Sequence, residues 1–208
     1  MNCLLSTAYL PPVQWFTKLM TEDDVYVEQW ESYHKQTYRN RCVIDSSNGT
    51  VVLTIPVEKP ADGSRLVKDM RISDHDDWRI KHWHALESSY YNSPFFEFYQ
   101  DDFRPFYERK YDFLLDFNVA LVEKCMELIG FNKELRLNDR FIDPDDIDSS
   151  EIRDFRQTIS PKKTLDTDYD FIAKPYYQVF SQKTGFKPNL SIVDLIFNMG
   201  PESILILK

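Results

Sequence analysis

Glycine is scarce in this chain, with five in 208 residues, and no two of them stand close enough to form a phosphate loop of the Walker or dinucleotide type. That scarcity argues against a P-loop nucleotidase and against a standard dinucleotide oxidoreductase. Cysteine is scarcer still. Cys3, Cys42 and Cys125 are an odd number, widely spaced, with no Cys-x-x-Cys. They offer neither a disulfide framework nor a zinc ribbon, and they fit a reducing compartment. No run approaches about 18 consecutive apolar residues, so no membrane-spanning helix is expected. Met1 leads into Asn2 and a short apolar stretch without a basic n-region or a small-residue cleavage site, and the expected location is the cytoplasm. Basic residues are in deficit. The formal charge of −9 disfavours broad binding to nucleic acid or to an anionic membrane.

Aromatic residues are plentiful instead. They make up 15% of the chain, which implies a core or a pocket wall built from flat, partly polar side chains. The length suits a single domain spanning residues 1–208. Leu4 to Tyr9 reads as a strand that passes through Leu10-Pro11-Pro12 onto a helix from Val13 to Met20. The first amides of such a helix can face a ligand, or the unit can be a plain β-α connection. Val25 to Val27 is a second strand. Cys42 to Ile44 and Val51 to Val57 flank Asn48-Gly49, a strong hairpin signal. Helices are expected from Trp78 to about Tyr91, with Trp83 facing inward beside Ile80 and Leu86. Others follow around Phe95 to Tyr99, ahead of an interruption at Pro105, and from Phe113 to Ile129, closed by Gly130. Residues 139–163 are acidic and polar and read as a surface loop or lid. Ser191 caps a last helix over Ile192 to Asn198. The fold class is therefore α/β, with an N-terminal mixed sheet containing a β-hairpin and a helix-rich C-terminal half.

Charge is unevenly placed. Tyr33 to Arg41 carries Lys35, Arg39 and Arg41 and no acid, whereas Thr21 to Ser32 carries Glu22, Asp23, Asp24, Glu28 and Glu31 and no base. The cationic stretch either grips an anion or pairs with the acids just upstream. If the first hairpin strand begins at Arg39, its side chain and that of Arg41 share a face. His82-Trp83-His84 falls in a predicted helix, where rings two residues apart diverge by roughly 200°. No metal pair is expected there, although either histidine can carry a proton or sit at the core edge. Asp143 to Asp148 fails as a calcium loop, because Asp148 and Asp154 stand where glycine and glutamate are needed. Cys42, beside Arg41, reads as a small buried residue rather than an activated thiol. No metal site emerges, and no cofactor is indicated.

Several stretches taken together resemble one family. They are Tyr9 to Phe16, Lys35 to Cys42, Leu53 to Val57, Lys81 to His84, Tyr90 to Phe96 and Pro188 to Gly200. In this order, over nearly the whole chain, they resemble the bacterial WbqC-like family in the form common to Bacteroides-type bacteria. The front differs from the better-known branch, with Ala8-Tyr9-Leu10-Pro11-Pro12 and Gln14 where that branch has Gln-Pro-aromatic and a helix glycine. The resemblance implies a setting in surface-polysaccharide gene clusters, including O-antigen biosynthesis, and brings no assigned reaction. With the motifs above, the expected activity is modification of a sugar or sugar nucleotide, such as acyl or aminoacyl transfer to an amino sugar. Lys35, Arg39 and Arg41 would bind the phosphate or carboxylate of an anionic small molecule. Gln36 and Asn40 would fix its hydroxyls or amide, with Tyr9 and Gln14 nearby. His82 or His84 would carry the proton, and Asp194 would orient a base or pair an arginine. A pathway protein that binds or assembles without catalysis is the alternative, and a nucleotidyl-transfer fold on the N-terminal strand-turn-helix is a third. The enzyme reading requires the cationic stretch, one histidine and Asp194 to converge in one pocket.

Overall fold

The computed structural model describes residues 2–58 and 60–208; Met1, where the leader reading starts, and Lys59 lie outside them. Strand β1 (Asn2–Ser6) leads through Pro11 and Pro12 into α1 (Val13–Thr21) and on to β2 (Val25–Glu28), which pairs parallel to β1. Much later in the chain, β7 (Arg136–Leu137) and β8 (Ile152–Asp154) add on either side, giving a fully parallel sheet in the order β7-β2-β1-β8. Antiparallel pairing occurs elsewhere. Strands β3 (Arg41–Ile44) and β4 (Val51–Thr54) form the expected hairpin, and β5 (Val57–Glu58) pairs with β6 (Arg71–Ile72). The α/β class and the hairpin agree with the sequence reading, and the mixed character comes from these separate ribbons.

Register assigns the two faces of the sheet. Cys3 lies beside Val25 and Leu5 beside Val27. These four apolar residues therefore share one face and belong to the helical core. The opposite face carries Leu4, Ser6, Tyr26, Glu28 and Asp154, turning polar toward the carboxyl ends of the strands. The core is aromatic, as the composition implies. Phe197 on α6 (Ile192–Met199) meets Tyr90 of α2 (Trp78–Tyr90) at 5.3 Å. It also meets Phe96 and Phe103 of α3 (Phe96–Glu108), at 5.1 and 5.3 Å. Helix α4 (Leu114–Ile129) ends at Gly130, whose φ of 82° lets it accept the left-handed cap. The short α5 (Ser181–Thr184) and α7 (Ser203–Leu207) complete the helices. No helix among the described residues is long and apolar enough to cross a membrane.

Four details differ from the sequence reading. Strand β3 begins at Arg41 rather than Arg39, so the two arginines do not share a strand face. Residues 139–163 contribute β8 to the sheet, because an uncovered β1 edge would expose unpaired backbone groups. Helix α3 runs through Pro105; Asp101, whose carbonyl loses its partner there, is exposed and can turn to water. On α2 it is His82 that is buried, while Ile80 faces solvent.

Two glycines separate strain from simple chain freedom. A methyl group on Gly200 would stand 2.6 Å from carbons of the Phe95 ring, at a φ of +55°. Gly200→Ala is expected to cost about 2–3 kcal/mol. Gly130→Ala meets nothing within 4 Å and is expected to cost about 1 kcal/mol, through its positive φ alone. Urea midpoints measure both, and equal losses would contradict this packing.

Candidate functional site

The residues singled out in the sequence lie in separate clusters. Tyr9 follows β1 into the core, where its hydroxyl lies 2.9 Å from His82 Nδ1 and 2.8 Å from the Tyr107 hydroxyl. The Thr54 backbone also bonds the imidazole and favours its charged form. A carbonyl can do so only by accepting, so the ring carries its proton toward Thr54 and Nδ1 accepts from Tyr9. Burial nevertheless dominates and pushes His82 down to about 4. Packed against Tyr9 and Trp78, both of which in turn contact Phe117, it links α2, α3 and the hairpin. His84 points the other way, exposed, with Nδ1 3.4 Å from Glu87.

Asp194 is fully buried on α6. It accepts from the Tyr90 hydroxyl (2.8 Å), the Tyr176 hydroxyl (2.6 Å) and Gln178 Nε2 (3.2 Å). Burial still raises it to about 6, and the Asp45 carboxylate adds to the rise. Gln14 donates to Asp168 at 2.9 Å, and Lys18 forms a buried ion pair with the same carboxylate at 2.9 Å. The first amides of α1 are already occupied: Val13 N donates to the Leu190 carbonyl, and Gln14 N to Asn189 Oδ1. That helix start therefore offers no free amides to an anion.

The cationic stretch divides. Lys35 and Gln36 sit exposed at the tip of a turn, with Gln36 at φ 61°. Arg39 turns inward and pairs with Glu31 through Nε (2.8 Å) and Nη2 (2.5 Å), while Nη2 also reaches Ser6 Oγ at 2.9 Å. Asn40 donates to the Ile55 carbonyl at 2.7 Å. Arg41 is half-buried, and its Nε has no partner. Among the described residues no hydrogen bond or ion pair joins the side chains of this stretch to His82, His84 or Asp194. Arg39 takes the alternative reading, pairing with an upstream acid. All three thiols are buried and pushed up by burial, Cys3 to about 12. None serves as a nucleophile near neutral pH.

The concave feature with buried charge lies at the carboxyl ends of the parallel strands. Trp30, Glu31, Ser32 and His34, which follow β2, face Arg156 and Gln157, which follow β8, across a groove of about 300 Å³. Phe141 and Pro144 close one side, with the Arg156 guanidinium 5.5 Å from the Phe141 ring centre. Open α/β sheets bind ligands at this edge, where the strand order reverses, and here β1 lies between β2 and β8. Beneath the groove, Arg156 donates to Glu28 (3.0 Å) and twice more to Asp154, through Nε (3.0 Å) and Nη2 (2.7 Å). Larger hollows of about 1090 and 840 Å³ lie beside Tyr26 and beside the end of α4. Their charged lining residues are none of them buried, so they lack the buried charge that the smaller groove carries. Sequence reasoning missed this groove. The signal available was Trp30-Glu31 directly after a strand, which becomes informative only once that strand is known to be parallel.

A family model described as the WbqC-like protein family matches residues 7–168. The chain is 25% identical over 223 aligned positions to the uncharacterized protein Rv1507c of Mycobacterium tuberculosis, covering 96% of this chain and 94% of that protein. No solved structure matches.

The buried groups make opposing contributions to stability. Because folding lowers His82 below 6.5, the unfolded chain takes up that proton first, and stability is lost as pH falls from about 6.5 toward 4. Folding raises Asp194 above 3.8, so the folded chain is protonated first and stability is gained as pH falls from about 6 toward 4. Each effect is on the order of 3 kcal/mol, and the two largely offset. Thermal denaturation should therefore show Asp194→Asn losing more stability than wild type on acidification from pH 6.5 to 4.5, and His82→Phe losing less. Parallel profiles would contradict both assignments. Arg39→Ala is expected to cost about 3–5 kcal/mol in urea unfolding, because it leaves Glu31 buried and unpaired; replacing both by apolar residues should recover most of that loss.

Proposed function

Because the chain belongs to the WbqC-like protein family, we propose that it modifies a sugar or sugar nucleotide in surface-polysaccharide biosynthesis, with the carboxyl-edge groove as its ligand site. The setting comes from the family resemblance. The observation that carries the choice of site is the groove's composition: buried, ion-paired Glu31 and Arg156 beneath Trp30 and Phe141. Fixed polar groups set into an aromatic wall can orient hydroxyls while the ring faces of a sugar lie on apolar surface. The groove's size is at the lower end of small-molecule sites. It suits one ring, with the remainder of a larger substrate outside.

In this reading the transfer is of an acyl or aminoacyl group to an amino sugar. The amine nitrogen bonds to the acyl carbon as the bond from that carbon to the donor's leaving group (the thiolate, for an acyl-CoA) breaks; the amine gives up a proton and the departing group takes one. His34 accepts the amine's proton in place of His82 and His84, because it lines the groove and its side chain is open to solvent. Lys35, exposed on the same turn, is placed to meet a phosphate that projects from the groove. A binding protein without catalysis is the second reading, and the closure of His82 and Asp194 inside the core favours it. Turnover of a bound ligand separates the two.

A thermal-shift screen of nucleotide sugars, acyl-CoAs and ATP tests the site. A ligand present at ten times its Kd should add about 1.4 kcal/mol, or roughly 3–6 °C for a domain of this size. The expected result is a shift with a nucleotide sugar that falls by at least half in Gln157→Ala, an exposed position on the groove. No shift with any of these ligands, or one unchanged in Gln157→Ala, would contradict the proposal.

A further inference from the structure

Resting on that reading of the groove, we infer that it receives the uncharged or amino-bearing ring of a sugar and rejects a phosphate or carboxylate. Two guanidinium groups stand beneath the groove, those of Arg39 and Arg156, against three carboxylates, those of Glu28, Glu31 and Asp154. The buried members balance, two cations against two anions, and the half-buried Asp154 leaves the set negative by one charge. Arg39 is forked onto Glu31, and Arg156 is divided between Asp154 and Glu28. The Glu31 charge also reaches Arg156.

An incoming anion meets no unmatched cation here. To bind bidentately it would have to displace a carboxylate from its arginine and leave that carboxylate buried and unpaired, the costly outcome for such pairs. A hydroxyl has no such difficulty. Each terminal nitrogen of Arg156 carries a second N–H beyond the one already donated, and Glu31 keeps acceptor capacity on its oxygens. A polyol can accept from the one and donate to the other without breaking either ion pair. The surplus negative charge further favours a protonated amine over a hydroxyl at the same position. The sequence pointed to an anion site in the cationic stretch. The structure moves the recognised group to the neutral or amino end of the ligand, with any phosphate left outside on the solvent side.

The test uses the indole N–H signal of Trp30, which lines the groove and donates to the Asn138 carbonyl at 3.1 Å. Glucosamine, glucose, glucose 1-phosphate and inorganic phosphate are titrated at fixed ionic strength into the full chain and into Phe141→Ala. The expected result is that glucosamine moves the Trp30 signal at a concentration about tenfold lower than glucose does, with that gap narrowing as salt is added. Inorganic phosphate should leave the signal in place, and Phe141→Ala should weaken the glucosamine response. If phosphate or glucose 1-phosphate moves Trp30 and glucosamine does not, the inference is overturned while a sugar-nucleotide site at the groove stands. If a nucleotide sugar raises the melting temperature but no probe moves Trp30, the groove is the wrong place. If neither responds, both readings fail.

Discussion

The carboxylate of Glu28 holds this architecture at the carboxyl edge of its parallel sheet. It ends β2 with no exposure to solvent, a placement that would be strongly unfavourable for an unpaired charge. Four donors satisfy it: the Trp30 amide (2.7 Å), Asn138 Nδ2 (2.7 Å), the Ile142 amide (3.3 Å) and Arg156 Nη1 (3.0 Å). These come from three stretches of chain far apart in sequence. One ion therefore fixes the exit of β2, the segment that carries Phe141, and the residues that follow β8. Those are the walls of the groove.

The same logic runs through the polar residues inside this protein. Lys18 and Asp168 pair beneath α1, Arg39 and Glu31 beside β1, and Asp194 gathers two tyrosines and a glutamine. The first and last of these bring together elements that the chain order separates, and Arg39 does so through its bond to Ser6. An aromatic core with few glycines packs bulky side chains closely, and its polar tips must find partners within that packing. The Tyr107–Tyr9–His82 chain is such a solution. Burial keeps its imidazole neutral, which suits a hydrogen-bond acceptor.

Legibility in the sequence followed the range of the interactions involved. The hairpin, α4 with its Gly130 cap and α6 with its Ser191 cap were readable, because turn chemistry and helical period are local. Strand β8 was not. Three residues carry no period, and its place is set by β1, about 150 residues earlier in the chain. The spacing of His82 and His84 showed that they diverge, and only the surrounding Tyr9 and Trp78 show which one is inside. The charge contrast between residues 21–32 and 33–41 was visible, and its resolution for Arg39 was one of the two available readings. The groove depends on Glu28 and Arg156 meeting across the sheet, which no local pattern announces.

In the proposed reading, ligand recognition belongs to the edge of the parallel sheet and stability to the buried clusters of the core. A crystal structure of the protein with the nucleotide sugar that most raises its melting temperature decides where the ligand sits. Density for the sugar ring is expected between Trp30, His34 and Gln157, with the Arg39–Glu31 and Arg156–Glu28 pairs intact beneath it. Density for the ring beside His82 or Asp194, with the core opened to admit it, would place recognition elsewhere and overturn the groove as the ligand site.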